Sequence, residues 1–351
     1  MDFIAELREK AKKNPKKVVL PEGHDDRTIN AAGIAQELGI AKIVLLGEEA
    51  IIKEKASSLG VSLKGIEILD HKTANDFDES VKAFYEIRKH KGMTPEESKK
   101  TLLEKPIYYG ALMVRKGAAD TFVAGAVSTS GDVARAAIFC VGVDKKAGTL
   151  SSSFVIQIEN SPYGENGLFI FADCGVVMDP SPGQLAGIAF SSAKLFKALF
   201  DKEPRVALLS FSTKGSAEGP MVAKVRDALK IANEKYPELL IDGELQLDAA
   251  VDADVAKKKC PQSHVAGRAN ILIFPDLNSG NIGYKMAHRL AGGRAIGPLL
   301  QGMSRPCSDL SRGCSAQDIV DAIAITVVRC NQEGLDSARP SPEQAKRVEG
   351  E

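Results

Sequence analysis

Neither sign of charge is in excess in this 351-residue chain: Lys+Arg and Asp+Glu both number 46, so the formal net charge is zero. That balance argues against the basic face of a nucleic-acid-binding protein, while leaving room for local positive pockets. Long hydrophobic runs are missing too. No stretch approaches the ~18 apolar residues of a membrane span, so no membrane partner is expected. The charged segment Met1–Lys17 reads as an amphipathic helix and not as a signal peptide. Six cysteines, at 140, 174, 260, 307, 314 and 330, show no paired metal-ligand spacing. They are expected as reduced thiols, which places the protein in the cytoplasm. The five histidines (24, 71, 90, 264 and 288) form no i, i+4 pair, and no role is assigned to them. There is no internal repeat and no low-complexity linker. What remains is an ordinary globular composition, 44% hydrophobic and 26% charged, in a chain too long for one ordinary core.

Short apolar runs alternate with helical patterns along the chain. Strands are expected at Lys17–Leu20, Lys42–Leu46, Gly65–Leu69 and Thr121–Ala124, with helices at Asp26–Gly39, Glu48–Leu59, Ala74–Lys91 and Pro106–Lys116. A second series places strands at Ser151–Ile158, Leu168–Ala172, Arg205–Phe211, Leu239–Gly243 and Asn270–Phe274, and helices at Gln184–Phe200, Ala217–Tyr236 and Asn281–Ala291. This order predicts an α/β protein with mostly parallel sheets covered by helices. The last helix, to about Arg329, carries an apolar face (Ile319, Val320, Ile323, Ala324, Val327) and no later strand to bury it against. It must return to the first sheet. The first domain is therefore discontinuous, residues 1–144 plus 298–351, with a second α/β domain, 145–297, inserted and a cleft between them. The polar tail Asn331–Glu351 is expected to fray.

Four polar turns carry the chemistry. Ser308–Asp318 opens the last helix, where free N–H groups and the helix dipole favour anions. It holds a hydroxyl (Ser311), a guanidinium (Arg312) and a carboxylate (Asp318) within eight residues, fit for a phosphorylated substrate and a proton to remove. The alternative is that Ser315 caps the helix and Asp318 closes its capping box. After strand 121–124, the run Gly125–Asp132 offers the hydroxyls of Ser128, Thr129 and Ser130 to phosphoryl oxygens, or merely a helix cap. Ser212–Ser216, with Lys214, and Pro275–Asn281 are similar turns, and neither has Walker A spacing. Asp242, Glu244 and Asp248 form a divalent-metal site or a solvated face. Arg27, just past Pro21-Glu22-Gly23, faces the cleft entrance or bonds a helix end.

Together these runs resemble the bacterial phosphate acetyltransferases (phosphotransacetylases) of the short, single-module type. The matching segments are Val19–Gly23, Arg88–Gly92, Ala124–Ala126, Ser212–Ser216, Asp242–Gln246, Phe274–Asn278 and Asp309–Ser315. They reach from about residue 17 to 330, and the last is the most specific. One departure is Ala316, at a position often acidic in the family; Asp318 is then the only carboxylate early in that helix. The resemblance implies reversible conversion of acetyl-CoA and phosphate into CoA and acetyl phosphate. It also implies a two-domain fold like that of isocitrate and isopropylmalate dehydrogenases, and a homodimer.

On this resemblance Asp318 is the base that takes the CoA thiol proton, provided burial raises it or it acts as electrostatic partner to a departing proton. Ser311 and Arg312 face the oxyanion. Ser128, Thr129, Ser130 and Arg312 hold the substrate phosphate, and Arg88 and Arg135 match the arginines that contact CoA. CoA is a substrate; no metal or organic cofactor is needed, because an acyl phosphate is already activated. Cys314, at a helix start beside a guanidinium, is expected to have a lowered pKa but not to carry the acetyl group. Three rival functions are a phosphate butyryltransferase, a metal- and NAD-dependent dehydrogenase of the same fold, and a non-catalytic module sensing acetyl-CoA. No clear adenosine-ribose acid follows a Gly-rich turn, and intact Ser311, Arg312 and Asp318 speak against the last.

Overall fold

A computed structural model describes residues 3–331; of the expected fraying tail, all but Asn331 lies outside the described residues. The described residues fall into two compact units, one reaching to Gly142 and resuming at Ser304, the other Val143–Met303.

The first unit runs α1 (Phe3–Lys13), β1 (Lys16–Leu20), α2 (Asp26–Glu37), β2 (Ala41–Leu46), α3 (Glu49–Leu59), β3 (Glu67–Leu69), α4 (Phe77–Arg88), α5 (Pro95–Glu104), α6 (Pro106–Arg115), β4 (Thr121–Ala124) and α7 (Ser130–Ala136). The second unit supplies β5 (Ser151–Gln157), β6 (Leu168–Ala172), α8 (Pro182–Phe200), β7 (Val206–Leu209), α9 (Pro220–Lys235), β8 (Ile241–Leu245), α10 (Leu247–Val251), α11 (Ala253–Lys259), β9 (Ile271–Ile273), α12 (Leu277–Arg289) and β10 (Arg294–Gln301). The chain then returns to the first unit with β11 (Ser308–Asp309) and α13 (Ala316–Cys330).

The first sheet, ordered β11-β4-β1-β2-β3, is parallel throughout. Its central strand β1 has Val18, Val19 and Leu20 buried, the continuous apolar run required of a strand covered on both faces. Helix α13 lies against β4, β1, β2 and α2. It is buried all round from Ile319 to Cys330, a wider burial than one apolar face predicts. Each large aliphatic side chain so covered contributes about 1.5–3 kcal/mol, which fixes α13 in this unit.

The second sheet, β10-β5-β6-β9-β7-β8, is parallel from β6 to β8 and antiparallel where β10 and β5 join. Strand β10 and helix α5 are absent from the expected pattern. Gly297-Pro298 reads as a turn, but the register shift between Ile296 and Leu299 accommodates the proline on an edge strand. Helix α5 had a signal: Thr94 caps it, Pro95 follows, and Glu97 closes the capping box. Between Ala74 and Lys91 the α-helix proper begins only at Phe77, and Lys89–Lys91 tightens to a 3₁₀ turn. No helix among the described residues is long and apolar enough to cross a membrane.

Candidate functional site

All the residues given a role by sequence lie in the first unit. Strand β11 pairs with β4 at Ser308–Val123 and Asp309–Ala124, so the turns leaving these two strands start side by side. After β11 the chain turns tightly, with the Cys314 N–H donating to the Ser311 carbonyl at 2.9 Å and the Gly313 N–H to Ser311 Oγ at 3.2 Å. Ser315 then caps α13. The Asp318 N–H donates to Ser315 Oγ at 3.2 Å, and the Ser315 N–H returns a bond to Asp318 Oδ2 at 2.8 Å. The capping box therefore exists. Ser311, Arg312 and Asp318 are exposed, so the burial that would strengthen Asp318 as a base is missing, and its carboxylate is engaged by Ser315.

In the turn after β4 the backbone amides are already engaged. Four consecutive N–H groups, of Gly125, Ala126, Val127 and Ser128, donate to the Glu22 carboxylate at 3.0, 2.8, 3.1 and 2.6 Å. A buried side chain of the protein itself occupies the cradle. Gly125 is required there: its φ is +117°, and a Cβ would lie 2.5 Å from Asp309 Oδ1. Thr129 is spent on the N-cap of α7, accepting from the Asp132 N–H at 3.2 Å and donating to Asp132 Oδ2 at 2.9 Å. Ser130 reaches the Asp309 carboxylate. Burial lifts Asp309 to about 6, helped by the nearby Glu22 charge and opposed by bonds from Ser130 and the Leu310 N–H. Its Oδ1 is buried without a hydrogen-bond partner. Sequence gave Asp309 no role, and nothing in its local pattern marks it.

Arg27 settles the question left open for it. Its guanidinium donates to the carbonyls of Arg312 (2.7 Å), Cys314 (3.1 Å) and Ala126 (2.7 Å), while Asp25 holds it from behind at 2.9 and 3.1 Å. One side chain thus brings together the turns after β4 and β11. Cys314 is a correction. Burial pushes its thiol up, and the cation that partly opposes this is Arg27, not Arg312.

Arg88 and Arg135 are joined by aromatics. The Arg88 guanidinium lies 3.7 Å above the Phe139 ring, and Phe139 sits 6.4 Å from Tyr108, whose hydroxyl Arg135 reaches. Arg135 also pairs with Asp132 at 2.9 Å, an acid that Lys105 contacts at 3.0 Å. These bonds hold Asp132 down at about 2. Arg88 has no ion-pair partner among the described residues, and its Nε is buried without an acceptor.

In the second unit the acids at 242–248 diverge. Asp242 pairs with Lys214, Asp248 with Lys259 at 2.7 Å, and Glu244 with Arg226 at 3.1 Å. Glu244 also accepts from the Gly215 N–H at 2.9 Å and Ser212 Oγ at 3.0 Å, so the 212–216 turn is folded around a carboxylate. Although burial alone would raise Glu244, Arg226 and these donors hold it near 2. The 275–281 turn is a helix cap, Asp276 accepting from the Ser279 N–H at 2.9 Å, and Asn281 bonds the Cys174 carbonyl at 3.1 Å. Among the described residues no three His, Cys, Asp or Glu side chains gather as a metal site would require.

The fold and these turns define an α/β protein with its polar turns at strand ends, as in enzymes of the dehydrogenase-like fold. A 4-hydroxythreonine-4-phosphate dehydrogenase from Klebsiella pneumoniae shares that fold at 10% identity, with a TM-score of 0.52 over 91% of this chain and all of its own. A much nearer structure is a phosphotransacetylase from Streptococcus pyogenes, 40% identical, with a TM-score of 0.88 over 93% of this chain and 98% of the other. A phosphate acetyltransferase from Thermoanaerobacterium thermosaccharolyticum is 50% identical over 329 residues, 94% of this chain and 99% of that protein. The family described as phosphate acetyl/butaryl transferase matches residues 2–327. The chain belongs to that family and is an acyltransferase.

Proposed function

We propose that this chain interconverts acetyl-CoA plus phosphate and CoA plus acetyl phosphate by direct transfer in a ternary complex. The acetyl reaction rests on the near-full-length likeness to proteins named phosphate acetyltransferase. The observation that carries the mechanism is Arg27 bonding Ala126, Arg312 and Cys314 at once, since it puts the hydroxyl turn and the Ser311–Arg312 turn within one guanidinium's width.

In the direction forming acetyl-CoA, Asp318 takes the thiol proton and the thiolate attacks the acetyl carbonyl carbon. Ser311 O–H and Arg312 donate to the oxyanion. The bond between the acyl carbon and the bridging phosphate oxygen breaks, phosphate leaves with the bonding pair, and the thiol proton passes to it. Ser128 and Arg312 hold that phosphate through side chains, the 125–128 amides being occupied, and Thr129 and Ser130 join them by exchanging their bonds to Asp132 and Asp309 for bonds to phosphate. Arg88 and Arg135 take phosphoryl groups of CoA, the Arg88 plane already set by Phe139. Asp318 is exposed and its Oδ2 already accepts from Ser315, so it takes the proton as the sulfur attacks and not in a separate earlier step. No metal or organic cofactor enters, since the acyl phosphate is already activated. The protein acts as a cytoplasmic homodimer; the dimer is supported by Ile282, Met286 and Leu290, exposed one turn apart on α12 and just beyond it.

The test is release of free thiol from acetyl-CoA with and without phosphate, no nicotinamide present, set against butyryl-CoA. Phosphate-dependent release favouring the acetyl ester is expected. Equal or faster release from the butyryl ester would make the chain a butyryltransferase, and release without phosphate would refute both.

A further inference from the structure

We propose that Glu22 and Arg27 are positioning residues for acyl transfer: Glu22 shapes the 125–128 turn by filling its ring of amides, and Arg27 locks that turn to the Arg312–Cys314 turn. The proposal rests on the function just argued, because it takes Ser128–Ser130 and Ser311–Arg312 as the substrate-facing groups.

A run of N–H groups aimed at one point ordinarily awaits a substrate anion. Here the anion is covalently tethered. Glu22 is 4% exposed and accepts all four bonds at 2.6–3.1 Å, the charge-assisted kind that is short and strong. The segment carrying Glu22 is itself anchored, since the next residue, Gly23, donates to the Leu46 carbonyl at 3.2 Å. The turn is therefore set before any substrate arrives. Arg27 does the same for spacing. All of its donors go to Asp25 and to the three carbonyls of Ala126, Arg312 and Cys314. A fully engaged guanidinium has little left for a ligand; it acts as a spacer that fixes how far Arg312 stands from Ser128–Ser130. A reacting centre moved by about 1 Å loses on the order of 10² in rate, while each substrate still finds its own charged partners. Loss should therefore fall on kcat and not on KM.

Four variants test this: Arg27→Ala, Arg27→Lys, Glu22→Gln and Glu22→Ala. Arg27→Ala should lower kcat by roughly 10- to 100-fold with KM for both substrates nearly unchanged, and added guanidinium ion should restore part of the rate. Arg27→Lys, one donor head unable to span three carbonyls, should not restore it. Glu22→Ala should recover rate with formate, a carboxylate small enough for the vacated ring. Independently of activity, amide exchange at 125–128 should be slow in the wild type and faster in Glu22→Gln. A folded Arg27→Ala with unchanged kcat, or exchange at 125–128 indifferent to Glu22→Gln, would overturn the proposal. Loss of rate without rescue by guanidinium or formate would overturn it too, by making the role one of stability alone. If wild-type protein transfers no acetyl group at all, the functional reading fails, while the exchange result still decides the role of Glu22.

Discussion

Replacing Asp309 by Asn should stabilise the protein at neutral pH and do nothing at pH 4. Asp309 is buried at the end of β11, its Oδ1 over Gly125 with no donor to meet it. Burial, with Glu22 close by, lifts its carboxyl from 3.8 to about 6. The fold thus prefers the protonated acid. That contribution is fully present below the unfolded value near 3.8 and is lost as pH rises through about 6. The span from 3.8 to about 6 corresponds to about 3 kcal/mol at 1.36 kcal/mol per pH unit. An amide of the same shape carries no charge to desolvate, so it escapes the loss. For a unit of this size about 3 kcal/mol moves the melting temperature by roughly 6–12 °C. The assay is thermal unfolding of both proteins at half-unit steps from pH 4 to 8, reading the difference in Tm. That difference should open between pH 4 and 6 in favour of Asp309→Asn and then level off. A difference constant across the range would mean that Asp309 ionises as an ordinary carboxylate, and the reasoning from burial would fail.

Asp318→Asn and Ser311→Ala should each lower kcat, by on the order of 10² to 10³ where a transition-state donor is lost, with small changes in KM. Near-normal turnover in Asp318→Asn would shift proton acceptance to the substrate phosphate. Arg88→Ala and Arg135→Ala should raise KM for CoA more than for acetyl phosphate, and Phe139→Ala should mimic Arg88→Ala by releasing the guanidinium plane. Equal effects on both substrates in initial-rate measurements would remove these arginines from the CoA site. Cys314→Ala should keep most of its activity, with intersecting double-reciprocal plots. Parallel plots and an acetylated Cys314 detected by mass spectrometry would overturn direct transfer.

Strands β1, β2 and β4 of the first sheet were legible because each is a compact aliphatic run, and a parallel strand buried on both faces is written as one, whereas β11, only Ser308–Asp309, was not. β10 was not, since Gly297-Pro298 carries a turn's local chemistry and only sheet context makes it strand. At the site, the Ser308–Asp318 turn announced itself through local spacing, and the capping box within it was an alternative the residues already offered. Glu22, Arg27 and Asp309 were illegible in their roles for one reason. Each acts on a partner from 99 to 287 residues away or, for Asp309, on a strand neighbour nearly as remote. No local pattern encodes that pairing. The thiol of Cys314 was misjudged because a helix start lowers a pKa only where water or a cation compensates, whereas here burial outweighs Arg27.

Filling of amide rings by internal carboxylates occurs in both units. Asp173, at the end of β6, accepts from the N–H groups of Gly175, Val176 and Val177 at 2.9, 3.2 and 2.9 Å and from Ser152 Oγ at 2.6 Å. Glu22 does the same for 125–128, and Glu244 sits in the 212–216 turn more loosely, accepting from the Gly215 N–H and the Ser212 hydroxyl beside Arg226. A free anion must give up translational freedom to enter such a ring, which a tethered carboxylate has already lost. The internal anion therefore prevails at ordinary ligand concentrations. These turns are then rigid supports and not docking sites. In the proposed reaction a substrate's charge is met by what projects from them: hydroxyls, and the guanidinium of Arg312, whose side chain is exposed while its carbonyl is held by Arg27. Recognition by side chains on a preset backbone is what direct transfer requires, because the attacking sulfur and the leaving oxygen must be aligned before either bond changes.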